Sequence, residues 1–168
     1  MRCAVIYDSK TGNTRQAAEW IAEGMRAAGA ESAAFRIDAV DEDFVRSSKG
    51  VVIGSPSYAS LMTADMRSWM LASGGKLGMA GKLGGAFATV QYTHGGGELV
   101  IQSILTNELV WGMLCYSGGA AWGTPVIHLG PVGVNGNVEP HNAMENYREY
   151  FLTYGRRFAA KAIELFGD

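Results

Sequence analysis

Ser9-Lys10-Thr11-Gly12-Asn13-Thr14 is the stretch on which the fold of this chain turns. The run before it, Cys3-Ala4-Val5-Ile6-Tyr7, is apolar and short, which predicts a buried strand. After it, Ala17, Ile21, Gly24, Met25 and Ala28 recur at helical spacing. The six residues therefore form a hydroxyl-rich turn from strand into helix. N–H groups left free at a helix N-terminus, together with the helix dipole, favour an anion. The hydroxyls of Ser9, Thr11 and Thr14 add donors, and Gly12 lets the backbone curl toward a ligand. An ordinary capped helix needs only one such residue. Four hydroxyl or amide side chains with a glycine predict a phosphate cradle instead.

Outward from this turn the chain alternates strand and helix. Ser32–Arg36 predicts a second strand and Gly50–Gly54 a third, followed by a helix over Thr63–Ser73. Gly85–Thr89 predicts a fourth strand, Glu98–Trp111 a helix, and Met113–Tyr116 a fifth strand. A last helix, about Asn142 to Phe166, places Tyr147, Phe151, Tyr154, Phe158, Ala162 and Leu165 on one stripe for packing on the sheet. Continuous β-branched strands imply burial on both faces. The fold expected is α/β: a doubly wound, five-stranded parallel sheet of order 2-1-3-4-5 with helices on both faces.

Bulk properties narrow the function. The 168 residues suit a single domain, 1–168, able to bury about two-thirds of its unfolded surface. A net charge of -2 with scattered basic residues gives no footprint for nucleic acid or for an anionic membrane. The first strand begins after Met1 and Arg2, and no apolar run approaches the roughly 20 residues of a membrane span. A cytoplasmic location is expected. Cys3 and Cys115 sit in apolar stretches without CxxC spacing, and read as reduced core residues rather than a redox pair.

Ligands of a doubly wound sheet bind outside the carboxyl ends of its strands, where the winding reverses. Three loops meet there: the cradle, Ser55-Pro56-Ser57-Tyr58-Ala59-Ser60-Leu61-Met62, and Val90-Gln91-Tyr92-Thr93-His94-Gly95-Gly96-Gly97. Tyr58 and Tyr92 suit stacking on a planar ring, Pro56 fixes a turn, and glycine amides suit the polar edge of a ring. A phosphate at one end and an aromatic slot at the other describe a mononucleotide. Rival motifs fail. Gly75–Leu83 lacks P-loop spacing, GxGxxG and GxSxG are absent, and His94, His128 and His141 have neither zinc nor triad spacing.

Ser9-x-Thr11-Gly12-Asn13-Thr14 resembles the FMN-phosphate signature of the flavodoxin superfamily. Ile53–Tyr58, Met66–Met70, Lys82–Phe87, Gly95–Glu98 and Gly112-Met113 are similar to one branch of it, the tryptophan-repressor-binding-protein type of NAD(P)H:quinone oxidoreductase. The resemblance implies non-covalent FMN, with its phosphate on Ser9, Thr11, Gly12, Asn13 and Thr14 and Lys10 in support. It implies a ring lined by Pro56, Ser57, Tyr58 and Ala59 on one side, and by Thr89, Val90, Gln91, Tyr92 and Gly95 on the other. NAD(P)H would dock transiently as the electron donor, and a quinone or similar small molecule would reoxidise the flavin. No side-chain acid or base is required for this chemistry. Tyr92 and His94 are the candidates for orienting an acceptor, and Trp122 and His128 for closing over the flavin. Relatives carry an aromatic and then Gly-Asn where Ala59, Ser60 and Leu61 stand. The branch also implies a homo-oligomer, although this chain rewrites the segment from Ser117 to Pro140. The competing reading is an electron-carrier flavodoxin that serves redox proteins and has no substrate of its own. Near-balanced charge favours the enzyme, because a carrier relies on a strong acidic field to steer docking.

Overall fold

The computed structural model describes residues 1–136 and 143–167. Strand β1 (Arg2–Tyr7) sends Cys3, Val5 and Tyr7 to one face and Ala4 and Ile6 to the other, and all five are buried. That double burial is what a central parallel strand requires. It is flanked by β2 (Glu31–Arg36) and β3 (Gly50–Pro56), and β4 (Leu83–Val90) pairs with the whole length of β3. With β5 (Leu114–Cys115) the parallel order is β2-β1-β3-β4-β5, the order expected from the sequence.

Helices α1 (Asn13–Ala27) and α5 (Arg148–Phe166) cover one face. Their backbones meet at two glycines: a Cβ on Gly24 would stand 2.1 Å from Leu152 O, and one on Gly155 2.1 Å from Ile21 O. Only glycine permits this approach. Helices α3 (Ala64–Ala72) and α4 (Gly97–Val110) cover the other face, joined by the short α2 (Glu42–Ser47).

Four expectations need correction. Helix α2 was not anticipated, although Asp41 accepts from Phe44 N at its start as a cap should. A sixth strand, β6 (Val132–Val134), pairs with β4 at Ala88–Val90. Because β3 occupies the other flank of β4, β5 and β6 share the fifth lane, and the segment between them loops out of the sheet. The last helix begins at Arg148, after a 3-10 turn over Met144–Tyr147, and Leu165 at the end of its stripe is exposed. Its expected start, Asn142, lies outside the described residues, as does His141. Finally, Cys3 is buried but Cys115 is exposed, because a two-residue edge strand has no cover on its outer flank.

The looped-out segment is held from α5. The Arg157 guanidinium donates to the carbonyls of Gly118, Trp122, Gly123, Thr124 and Pro125 at 3.1 to 3.4 Å. Trp122 lies on this segment, 64% exposed, with Lys161 Nζ 5.9 Å from its ring.

Candidate functional site

The carboxyl ends of β1, β3, β4 and β6 open into one cavity of about 610 Å³, within the roughly 300–1,000 Å³ typical of small-molecule sites. Lys10, Thr11, Asn13, Thr14, Pro56, Ser57, Tyr58, Ala59, Thr89, Val90, Gln91, Tyr92 and Gly95 all line it. So do Ser60, Asn135 and Gly136, which sequence reasoning did not select. Ser9 and Gly12 do not face the cavity; they build the turn behind it, where Gly12 N donates to Ser9 Oγ at 3.1 Å. His94, Trp122 and His128 are exposed and do not line the cavity.

At the cradle end, Gly12 precedes α1 with φ of 98°, a left-handed conformation suited to glycine. Among the described residues no side chain caps the first turn of α1, so its N–H groups remain for a ligand. Thr14 Oγ1 and Thr89 Oγ1, both buried, are 2.7 Å apart. Their shared bond uses one hydroxyl proton and leaves the other to a bound group. Asn13 and Thr11 complete a neutral donor set. Lys10, the nearby cation, is half-exposed and already paired with Asp65, and the two shift each other's titration in the stabilising directions.

Asp8, buried and immediately before the cradle, is the residue supporting the site that the sequence hid. Its Oδ1 accepts from Ser9 N at 2.8 Å and lies 3.5 Å from Arg36 Nη2. Its Oδ2 accepts from Thr63 Oγ1 at 2.6 Å, while Thr63 Oγ1 accepts from Met66 N and so caps α3. One carboxylate thus fixes both the cradle and the start of α3. A charged residue next to a hydroxyl-rich turn was the available signal, but its burial depends on tertiary structure.

The other end of the cavity is aromatic and open. Tyr58 and Tyr92 are 51% and 45% exposed, so each offers ring surface to a planar ligand. Ser57 ties the two loops together: its hydroxyl donates to Gly95 O at 2.7 Å and its N–H to Thr89 O at 2.8 Å. Its hydroxyl proton is therefore committed to the scaffold. Ala59 and Ser60 form a tight turn between Tyr58 and Leu61, which exchange backbone hydrogen bonds of 2.9 and 3.0 Å. Their φ values of 51° and 65° are left-handed, at a cost of about 1–2 kcal/mol for each non-glycine residue. Strain of this kind persists where the surroundings over-determine the backbone, as at ligand clamps. Ser60 packs against the next loop, where a Cβ on Gly96 would lie 2.2 Å from its Oγ.

The neutral cradle, the uncapped helix and the aromatic rim fit a phosphate-bearing planar ring, which is the chemistry of FMN. Among the described residues no group of metal-ligating side chains occurs, and no helix is long and apolar enough to cross a membrane.

Comparison with known proteins identifies the family. The flavodoxin family model matches residues 5–98, which contain the cradle and both ring-lining loops. A flavodoxin of Clostridium saccharobutylicum is 36% identical, over 99% of this chain and 100% of the relative. An NAD(P)H dehydrogenase (quinone) of Acidovorax ebreus is 30% identical, with 97% of each chain covered. Among solved structures, the flavodoxin, WrbA-like protein from Agrobacterium tumefaciens superposes with a TM-score of 0.78 at 20% identity, covering 97% of this chain and 98% of that one. The sequence matches show that the chain belongs to the flavodoxin family, and the solved structure shares its fold.

Proposed function

We propose that this chain is an FMN-dependent oxidoreductase that accepts electrons from NAD(P)H and delivers them to a quinone or similar small molecule, with residues 1–168 acting as one cytoplasmic domain. The observation that carries this reading is the single cavity joining a neutral phosphate cradle to an open aromatic end. FMN, when bound, supplies the redox chemistry, and the protein supplies binding, orientation and electrostatics.

Thr11, Asn13, Thr14 and the first N–H groups of α1 hold the phosphate without a formal positive charge. Pro56 and Tyr58 on one side and Gln91 and Tyr92 on the other flank the ring, with Ser57 keeping the two loops in register. The strained Ala59–Ser60 turn closes the floor at the ring edge. The half-exposed Tyr92 lines the open end of the cavity, where an acceptor docks, and His94 lies two residues further along the same exposed loop.

The carrier reading retains specific support: relatives 36% and 33% identical to this chain are named flavodoxin. Anaerobic addition of NADH or NADPH to the FMN-loaded protein separates the two. The oxidoreductase bleaches its flavin absorbance within the mixing time of a spectrophotometer. A flavin that persists with both nucleotides, yet bleaches with dithionite, identifies the carrier.

A further inference from the structure

Strand β6 returns the chain to the cavity alongside the end of β4 and the loop that follows it. Asn135 N donates to Val90 O at 3.0 Å, extending the ladder one residue past β6 and fixing the backbone there. At the next position a Cβ on Gly136 would stand 1.9 Å from Gln91 O, so the chain passes directly against the loop after β4. From this anchored position the Asn135 side chain reaches across the cavity: Nδ2 donates to Asn13 Oδ1 at 2.9 Å, although the residues are 122 apart in sequence. Both residues line the cavity.

The consequence lies in the chemistry of a carboxamide, which presents an acceptor on one side and two donors on the other. Near a phosphate the two orientations are opposite in effect. An oxygen facing the anion repels it, and an NH2 group facing it donates a charge-assisted hydrogen bond. With its oxygen captured by Asn135, Asn13 directs its NH2 toward Thr11 Oγ1, 3.4 Å away, on the cradle side.

We infer that Asn135 is a positioning residue for the phosphate group: it orients the Asn13 carboxamide with its donors toward the cradle, and so contributes to the preference for a phosphorylated flavin over one without phosphate. The inference rests on the proposed FMN site, and it gives the segment after β6 a share in ligand selection alongside the cradle loop.

The test titrates apo-protein with FMN and with riboflavin, following flavin fluorescence, and takes the ratio of the two affinities. In the wild type FMN binds more tightly than riboflavin. In Asn135→Ala, FMN affinity falls about 10-fold while riboflavin affinity is unchanged, the lower end of the loss expected for one misdirected hydrogen bond to a charged group. Asn135→Asp lowers the ratio further, because a carboxylate can only accept and draws the Asn13 NH2 away from the cradle. In an Asn13→Ala background, Asn135→Ala leaves the ratio where Asn13→Ala set it. A merely structural role for this exposed side chain would lower both affinities together. An unchanged ratio in Asn135→Ala, or equal losses for the two flavins, overturns the inference and leaves the FMN site standing. A wild type that binds both flavins equally, or neither, overturns the site itself.

Discussion

Asp8→Ala is expected to lower stability by about 3 kcal/mol, a fall in Tm of roughly 6–12 °C for a chain of this size, measured by thermal or urea unfolding. The size follows from what the carboxylate holds. Ser9 N and the Thr63 hydroxyl both donate to it, and Thr63 in turn caps α3. Truncation strips partners from buried groups, and each hydrogen bond to a charged acceptor contributes about 1.5–3 kcal/mol. Arg36 softens the loss because its side chain is 42% exposed and can be hydrated once its partner is gone. Asp8→Asn keeps an acceptor for Ser9 N and an amide for the Thr63 hydroxyl, so its loss is expected to be less than half as large. Equal stability of wild type and Asp8→Ala would show that the carboxylate does not tie the cradle to α3.

The second large effect is a pH dependence centred on Glu108. This residue lies in the last turn of α4, fully buried, where the carbonyl end of the helix disfavours negative charge. Burial pushes its carboxyl well above the usual range, and hydrogen bonds from the Cys115 thiol and Gly85 N–H only partly oppose that. Its Oε1 has no hydrogen-bond partner. The groups around it are Cys115 on β5, an exposed residue whose thiol turns inward to within 3.7 Å of Glu108 Oε2 and is pushed up to about 12 by burial and by Glu108, and Tyr154 on α5, also raised by burial first and by Glu108 next.

Below the ordinary glutamate range both folded and unfolded chains keep the proton, and Glu108 contributes no pH dependence. As pH rises through that range the unfolded chain releases its proton while the folded one retains it. Stability then falls by about 1.4 kcal/mol per pH unit until the displaced folded value is reached. Glu108→Gln removes this slope. Its stability relative to wild type, from urea unfolding at a series of pH values, is expected to grow with pH across the window. Lys82, pushed down to about 8 chiefly by burial, adds a slope of opposite sign above that pH, but in both proteins, so it cancels in the difference. Parallel stability curves for the two proteins would mean that Glu108 ionises normally in the fold.

These two residues mark what the sequence could and could not disclose. The cradle was legible because its parts are local: the donors of 9–14 and the apolar stretches on either side lie within one strand–turn–helix unit. The loops after β3 and β4 were legible because the doubly wound order, once inferred, brings them to the same edge. Asp8 and Glu108 were visible as letters, but their burial comes from Thr63 and Arg36 in one case and from Gly84, Gly85 and Cys115 in the other. Asn135 and Gly136 reach the cavity through β6, a strand of three residues that pairs with β4, and so short an element carries almost no periodic signal. Helix α2 was missed in a polar stretch even though Asp41, Glu42 and Asp43 form an acidic start with a capping side chain. The apolar run around Cys115 predicts burial, which a two-residue edge strand does not provide.

The central claim is that the 9–14 turn grips a phosphate with uncharged donors, and the FMN-to-riboflavin affinity ratio of Thr11→Val tests it most directly. Thr11 is exposed and lines the cavity, so the change removes a donor without disturbing the core. The account predicts a ratio about 10-fold lower than wild type, through weaker FMN binding with riboflavin unaffected. A ratio equal to that of wild type would contradict it.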